Sequence, residues 1–418
     1  MTRAHRKTAW LAAVIALGTG LAATTAGSPA HAVTTGQSRG QISPPQGIHP
    51  GAQNAFSAVS ADSATDAWAV GYYTGTDLNA GIPLIAHWNG TAWSQTAAPA
   101  VAGSAQLTGV TAVSPSNAWA VGSYFPTATP TVQDTLIMHW NGTAWSQVAS
   151  PSPSSTGNAL SGVSADSATD VWAVGDYSPD GHAVDQDTLA LHWDGTAWTQ
   201  VRTPSPPTTT TSSVSIDWLS GVSASSPISA TAVGYYLSGA EQNVTKALVL
   251  TWNGTAWTHT TSPQPSAKTN ELSGVSGTAT ARTWAAGDYS NSSGAQDTLV
   301  VGRKGTSWAK FSSPSPGAGP NQLNAVSSDT DSNAWAVGYQ RANAGKAARQ
   351  TLAVRWNGTS WTHVTTPDPG GASPAGNDLT GVSAVSATNA WAVGFCHKAD
   401  GPNETIILHW NGTAWSSY

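Results

Sequence analysis

Paired carboxylates, histidines at fixed spacing and grouped arginines are the residues that could do chemistry in this chain, and each is scarce. Cleaving a sugar chain needs two positioned carboxyl groups. The chain holds only three glutamates, Glu241, Glu271 and Glu404, far apart in sequence. Asp176 and Asp288 stand out because each follows a glycine where Tyr72, Tyr235 and Tyr339 stand in other copies of the same motif. Those two aspartates could face a shared cleft. His87, His139, His192 and His409 recur one residue before a tryptophan. Alone they suggest metal ligands, but equivalent places in successive repeats set them far apart around a ring, which favours a structural role. Asp329-Thr-Asp-Ser-Asn333 begins like a calcium loop, yet Ala334 stands where such a loop requires glycine. Arg202, Arg282, Arg303, Arg341, Arg349 and Arg355 show no grouping that would clamp an anionic ligand. The expectation is therefore no catalytic set, no metal and no cofactor.

The elements that would position these residues repeat. Trp-Ala-Val-Gly falls at Trp68, Trp119, Trp172, Trp335 and Trp391, with Trp-Ala-Ala-Gly at Trp284 and a degenerate copy, Thr231-Ala232-Val233-Gly234. Trp-Asn-Gly-Thr-Ala-Trp or a close variant follows each copy and ends on Trp93, Trp145, Trp198, Trp257, Trp308, Trp361 and Trp415. Successive copies of the first marker lie 51, 53, 59, 53, 51 and 56 residues apart, so one supersecondary unit is repeated seven times. Within a copy, four short alternating runs separated by turn residues read as four strands, with no helical period. A two-residue turn at Asn141-Gly142 is expected to place Trp140 opposite Thr143 and Met138 opposite Trp145, with Trp140 and Trp145 on one face. Four-stranded units repeated seven times imply an all-β, seven-bladed β-propeller with four antiparallel strands per blade. Of the 21 tryptophans, 19 occupy three repeat positions, and beyond Trp10 only Trp218 falls outside the pattern.

Residues 1–32 read as a secretory signal peptide. Arg3, Arg6 and Lys7 precede an apolar stretch, and Ala30-His31-Ala32 is a small-x-small cleavage site. Residues 33–54 form an N-terminal segment in which Gln41-Ile-Ser-Pro-Pro45 could help close the ring, and 55–418 is the propeller. No other segment is apolar enough to span a membrane. Charged residues make up 9% of the chain, the formal net charge is −6 and no basic stripe exists, which argues against nucleic acid as a partner. The single cysteine, Cys396, excludes an internal disulfide framework. The protein is expected to be a secreted, extracellular monomer.

With these motifs the chain resembles, over about 55 to 418, the tryptophan-rich propeller repeats of secreted actinobacterial proteins. It is also similar to Asp-box propellers, which carry Ser-x-Asp-x-Gly-x-Thr-Trp between strands 3 and 4. His192-Trp-Asp-Gly-Thr-Ala-Trp198 looks like a shortened form that lacks the leading serine. The resemblance implies a blade. Propellers of this kind include hydrolases, lyases, lectins and scaffolds, so it does not choose among them.

A ligand is expected where loops vary on a constant frame. The loops between strands 2 and 3 vary: Thr74 to Gly81, Pro126 to Gln133, Ser178 to Gln186, Gln340 to Gln350 and His397 to Asn403. Eight of the nine tyrosines directly follow strand 2: Tyr72, Tyr73, Tyr124, Tyr177, Tyr235, Tyr236, Tyr289 and Tyr339. They could stack on sugar faces or cap the contacts between blades. Together with Trp218, Asp176 and Asp288 they point to a non-enzymatic binder of an extracellular ligand, a polysaccharide or cell-surface glycan, on an aromatic, charge-poor face. A polysaccharide hydrolase or lyase using Asp176, Asp288 or Glu241, and a protein-interaction scaffold, are the alternatives.

Overall fold

The computed structural model describes residues 53–418 apart from 76–79, 180–184, 207–214, 238–243, 279–281, 344–346, 372–375 and 398–400. Residues 1–32, expected to be a signal peptide, and Gln41 to Pro45 and Glu241 lie outside the described residues. The described chain forms seven four-stranded antiparallel sheets, each built from four consecutive strands. In the first sheet these are Asn54–Ser63, Asp66–Thr74, Gly81–Trp88 and Trp93–Thr96. Strand 1 of each blade touches strand 1 of both neighbours, and the cycle closes from blade 7 back to blade 1. This is a seven-bladed β-propeller with strand 1 innermost. No described helix is long and apolar enough to cross a membrane.

The tryptophans join blades rather than fill them. Trp68 of blade 1 lies 4.9 Å from Trp140 and, edge-on, 5.0 Å from Trp145 of blade 2. Trp119, Trp172, Trp284 and Trp335 meet two indoles of the next blade in the same way. Trp391 of blade 7 meets Trp88 and Trp93 of blade 1. Edge-to-face packing suits the ring quadrupoles and is worth about 0.5–1.5 kcal/mol per pair beyond burial. The seam between blades 4 and 5 is different. Thr231 replaces the strand-2 indole, and Arg303 replaces the strand-3 indole. The cluster there is aliphatic, built on Val233, Val249, Leu272, Leu299 and Val301, with Trp308 alone.

Side chains also staple the inner strands. Thr108 donates to the Leu160 carbonyl of the next blade at 2.6 Å. Thr380 of blade 7 donates to the Phe56 carbonyl of blade 1 at 2.8 Å, and the Ala61 amide donates to Ser383 at 3.0 Å. Tyr418 packs on Trp88 and Trp391, so blades 7 and 1 are joined by side chains, with no strand shared among the described residues.

The hairpin turn is centred one residue later than the sequence expectation, which moves each strand partner by two positions. Trp140 pairs with Trp145, and Met138 with Gln147. The turn is centred on Gly142-Thr143, with Gly142 at φ 93°. Asn141 is not a central residue. Its side-chain oxygen accepts from the Thr143 amide, the Thr143 hydroxyl and the Ala144 amide, and this local cap holds the loop. The two indoles still share a face because they are now directly opposed.

Candidate binding site at the channel mouth

The motif glycine sets the level at which blades differ. A Cβ at Gly71, Gly234 or Gly287 would run into the carbonyl oxygen of Ala55, Trp218 or Glu271 on strand 1. Only glycine lets the two strands approach there. A β-bulge follows at once in strand 1, between Leu219 and Gly221 in blade 4 and between Leu272 and Gly274 in blade 5. Bulges re-aim side chains beside functional sites. The residue before the strand-1 Leu or Phe and the residue after the strand-2 glycine are cross-strand partners at this level. From blade 1 the pairs are Ala55/Tyr72, Gln106/Ser123, Ala159/Asp176, Trp218/Tyr235, Glu271/Asp288, Gln322/Tyr339 and Asp378/Phe395. They lie at the 2–3 loop end of the innermost strands.

Blades 3 to 5 form an acidic sector. Asp176 is 5% exposed, and its Oδ1 has no hydrogen-bond partner among the described residues. Burial pushes its carboxyl up to about 7. Tyr235 is buried, and its hydroxyl is pushed upwards by burial and then by the charges of Glu271, Asp176 and Asp288. One phenol therefore senses three carboxylates from two other blades. Trp218 stacks on Tyr235 with centroids 6.3 Å apart and 11° between planes. Thr245 of blade 4 donates to Glu271 of blade 5 at 3.2 Å. Asp288, directly opposite Glu271, is 1% exposed. Sequence reading set the three glutamates apart and gave Glu271 no partner; cross-strand pairing brings it to Asp288 although 17 positions separate them in the chain.

Asp217 adds to this sector. It stands where Asn158, Asn270, Asn321 and Asn377 clamp the linker entering their own blades. Asn321 shows the clamp: it accepts from the Gly317 amide and donates to the Gly317 carbonyl, both at 2.8 Å. Asp217 has no amide to donate. It is 2% exposed, one carboxylate oxygen has no described partner, and burial, then the charge of Asp187, pushes it up to about 7.

Blades 6 and 7 answer with an ion-paired sector. Arg349 donates to Asp378 at 2.6 Å and lies 4.2 Å over the Tyr339 ring. Asn324 donates to the other Asp378 oxygen at 2.8 Å, and Tyr339 donates to Gln322 at 3.1 Å. Burial raises Asp378 to about 6 against the opposing charge of Arg349. Arg341 pairs in register with Arg349, so two of the six arginines named from sequence meet across one hairpin. The grouping was hidden because it crosses a 2–3 loop.

The remaining expected residues divide plainly. Tyr73, Tyr124, Tyr177, Tyr236 and Tyr289 are half-buried and pack against the clusters between blades, while Tyr72 is half-buried at the mouth. Cys396 is buried in the cluster of blades 6 and 7. On the opposite end, His87 bonds Asp66 at 2.6 Å and stacks on Trp68 at 4.2 Å, His192 bonds Asp170, and His139 and His409 bond Asn117 and Asn389. These histidines brace the frame, one blade each. Asp329 accepts from Asn333 at 2.6 Å within its own turn. Among the described residues no three His, Cys, Asp or Glu side chains converge as metal ligands.

Glu271, Asp378 and Arg349 were missed from sequence. The signal for the first two was present: each precedes the Leu of a Leu-x-Gly-Val run, the place that Trp218 fills in blade 4.

The chain matches no family model, and no curated protein matches it. Solved structures match throughout the ring. A PL25 polysaccharide lyase, an ulvan lyase bound to -[GlcA(1-4)Rha3S]-, is similar at TM-score 0.53 and 10% identity, covering 91% of this chain and 96% of that one. The β-propeller domain of the Trilobed protease from Pyrococcus furiosus, described as having an open velcro topology, is similar at TM-score 0.50 and 10% identity, covering 88% and 97%. At such identity the likeness is one of fold alone, the propeller; the tryptophan-rich blades are described for this chain.

Proposed function

We propose that this is a secreted, non-enzymatic propeller that binds an extracellular glycan at the 2–3 loop end of its channel. The observation that carries the reading is the register level just described. Seven blades that share their frame diverge there into aromatic, amide and acidic side chains around one mouth. Aromatic rings with a few fixed polar groups suit sugar rings and their hydroxyls. The ulvan lyase of similar fold is bound to -[GlcA(1-4)Rha3S]-, which is in keeping with a sugar ligand. Glycan-array binding by the full chain, weakened on Trp218→Ala or Tyr177→Ala with the melting profile monitored, is the expected result. No binding to any glycan would end the sugar reading. Recovery of the chain from culture supernatant with residues 1–32 removed tests secretion.

The pairing of Glu271 with Asp288 supports a second reading, a polysaccharide hydrolase or lyase. Against it, Asp288 and Asp176 are buried, and a catalytic carboxyl must reach the reacting atom. Turnover of a polysaccharide that disappears on Glu271→Gln would reverse the order of the two readings.

A further inference from the structure

We propose that the segment ahead of blade 1 docks on blade 7, with Ser43-Pro44 seated over Thr405 on the third strand of that blade.

The other blades define the seat. Thr135, Thr188, Thr298 and Thr351 each lie across from the residue after the motif glycine. They are 2–6% exposed, because the linker that runs on to the next blade covers them. Thr135 shares a hydrogen bond with the Ser150 hydroxyl at 2.7 Å and donates to the Pro151 carbonyl at 3.0 Å. Thr298 makes the same two contacts with Ser313 and Pro314, and Thr351 with Thr366 and Pro367. Thr188 shares a bond with the Thr203 hydroxyl at 2.7 Å, and Pro204 follows Thr203. Each linker therefore presents a Ser-Pro or Thr-Pro pair. Proline keeps the residue before it extended and has no N–H of its own to satisfy, so a hydroxyl and a carbonyl are offered side by side.

Thr405 occupies the same place in blade 7, opposite Phe395. It is half-buried, and among the described residues no linker hydroxyl meets it. The chain ahead of blade 1 is placed to supply one. Asn54 stands where Asn158, Asn321 and Asn377 stand at the entry to their own blades. Gln53 already touches blade 7: its side-chain oxygen accepts from the Asn403 amide at 3.2 Å, two residues before Thr405. Blade 2 makes the matching contact, where the Gln133 amide, two residues before Thr135, donates to the carbonyl of linker residue Thr156. Between residues 33 and 54 one such pair occurs, Ser43-Pro44. Ser43 precedes Asn54 by 11 positions, the same span by which Thr366 precedes Asn377, so the reach that serves blade 6 serves blade 7. Pro45 falls where Ser152, Ser315 and Asp368 accept from the strand-3 amide. The segment thus brings the hydroxyl and the carbonyl without that third bond. It acts as a staple and not as an added strand, since Trp415–Ser417 already forms the outer strand of blade 7. The occupant is the chain's own segment, and not a second copy, because Gln53 delivers it to this strand.

The experiment is a cysteine pair in the full chain, Ser43→Cys with Thr405→Cys, oxidised in dilute solution and mapped by peptide mass. Ser150→Cys with Thr135→Cys, where the hydroxyls already meet, is the reference. The expected result is a disulfide within one chain for both pairs. A bond in the reference pair and none in the blade 7 pair overturns the inference. A bond between two chains also overturns it, since a second copy would then be the occupant. Should a cysteine pair fail to fold, thermal melting of Ser43→Ala decides. A fall of about 1–2 °C, similar to that of Ser150→Ala, supports the seat, and an unchanged melting temperature overturns it.

Discussion

The seams between blades 3 and 4 and between blades 4 and 5 are built on the same strand register and filled in opposite ways. At the first, Trp172 is held between Trp252 and Trp257 and stacks on His192. At the second, Thr231 and Arg303 stand where two indoles would meet, and aliphatic side chains fill the space. The ring is continuous across both. Aromatic packing is therefore one solution to the seam, and a sufficient aliphatic cluster is another. At the channel mouth the two seams draw together again, since Asp176 from the first and Glu271 from the second act on the same Tyr235. Frame and candidate site use different levels of the same strands, so one can change while the other is kept.

The sharpest way to break this comparison is to empty each seam. Trp172→Ala is expected to lower stability by about 3–5 kcal/mol, because it leaves a cavity among indoles that cannot collapse. Thr231→Ala at the other seam should cost no more than about 1 kcal/mol. Equal losses in denaturant unfolding would show that the seams are energetically alike. Next comes pH. Folded Asp176 holds its proton up to about pH 7, while an ordinary aspartate loses it near 3.8. The folded state binds the extra proton between those values, so this contribution to stability is full below the lower value and lost as pH rises to the upper. Roughly 2–4 kcal/mol should disappear across that window, and Asp176→Asn should flatten the curve. A curve as steep in the variant would move the cause elsewhere.

The linker clamps offer a smaller test. Asn321→Ala should cost about 1–3 kcal/mol, since it strands buried backbone groups of the linker. Asp217→Asn installs the amide that blade 4 lacks and is expected to stabilise by about 1 kcal/mol. Loss of stability in that variant would mean that the carboxyl is preferred at this seam. The smallest effect is expected at the outer hairpins. Asn141→Ala removes three bonds at an exposed turn and should cost only about 0.5–1.5 kcal/mol by thermal melting.

The architecture was legible because its signal is redundant. Seven copies of one tryptophan-glycine pattern report the same four strands, and an error in one copy is corrected by the others. The hairpin register was not legible, because Asn-Gly fits a central pair and equally fits a cap followed by a turn glycine; the side-chain bonds of Asn141 decide it. At the candidate site, Asp176 and Asp288 could be picked out because they break a pattern after the glycine that Tyr235 keeps. Glu271 and Asp378 were overlooked because strand 1 has a weaker motif, and their importance depends on who stands across the ladder. The arginines looked scattered for the same reason, since the contact of Arg341 with Arg349 is made by a hairpin and not by neighbours in sequence.

Among the described residues each sheet is completed by strands that follow one another in the chain, and blades 7 and 1 meet through Thr380, Ser383 and Tyr418 without a common ladder. That separates the timing of two events. Hairpins of low contact order can form blade by blade, as local pairing is quick, whereas shutting the circle waits for a handful of side chains to find partners more than 300 positions away. A stopped-flow experiment should then resolve a late phase that Thr380→Val slows and that blade-internal substitutions leave alone. The last contact to form would be the one that turns a row of blades into a ring.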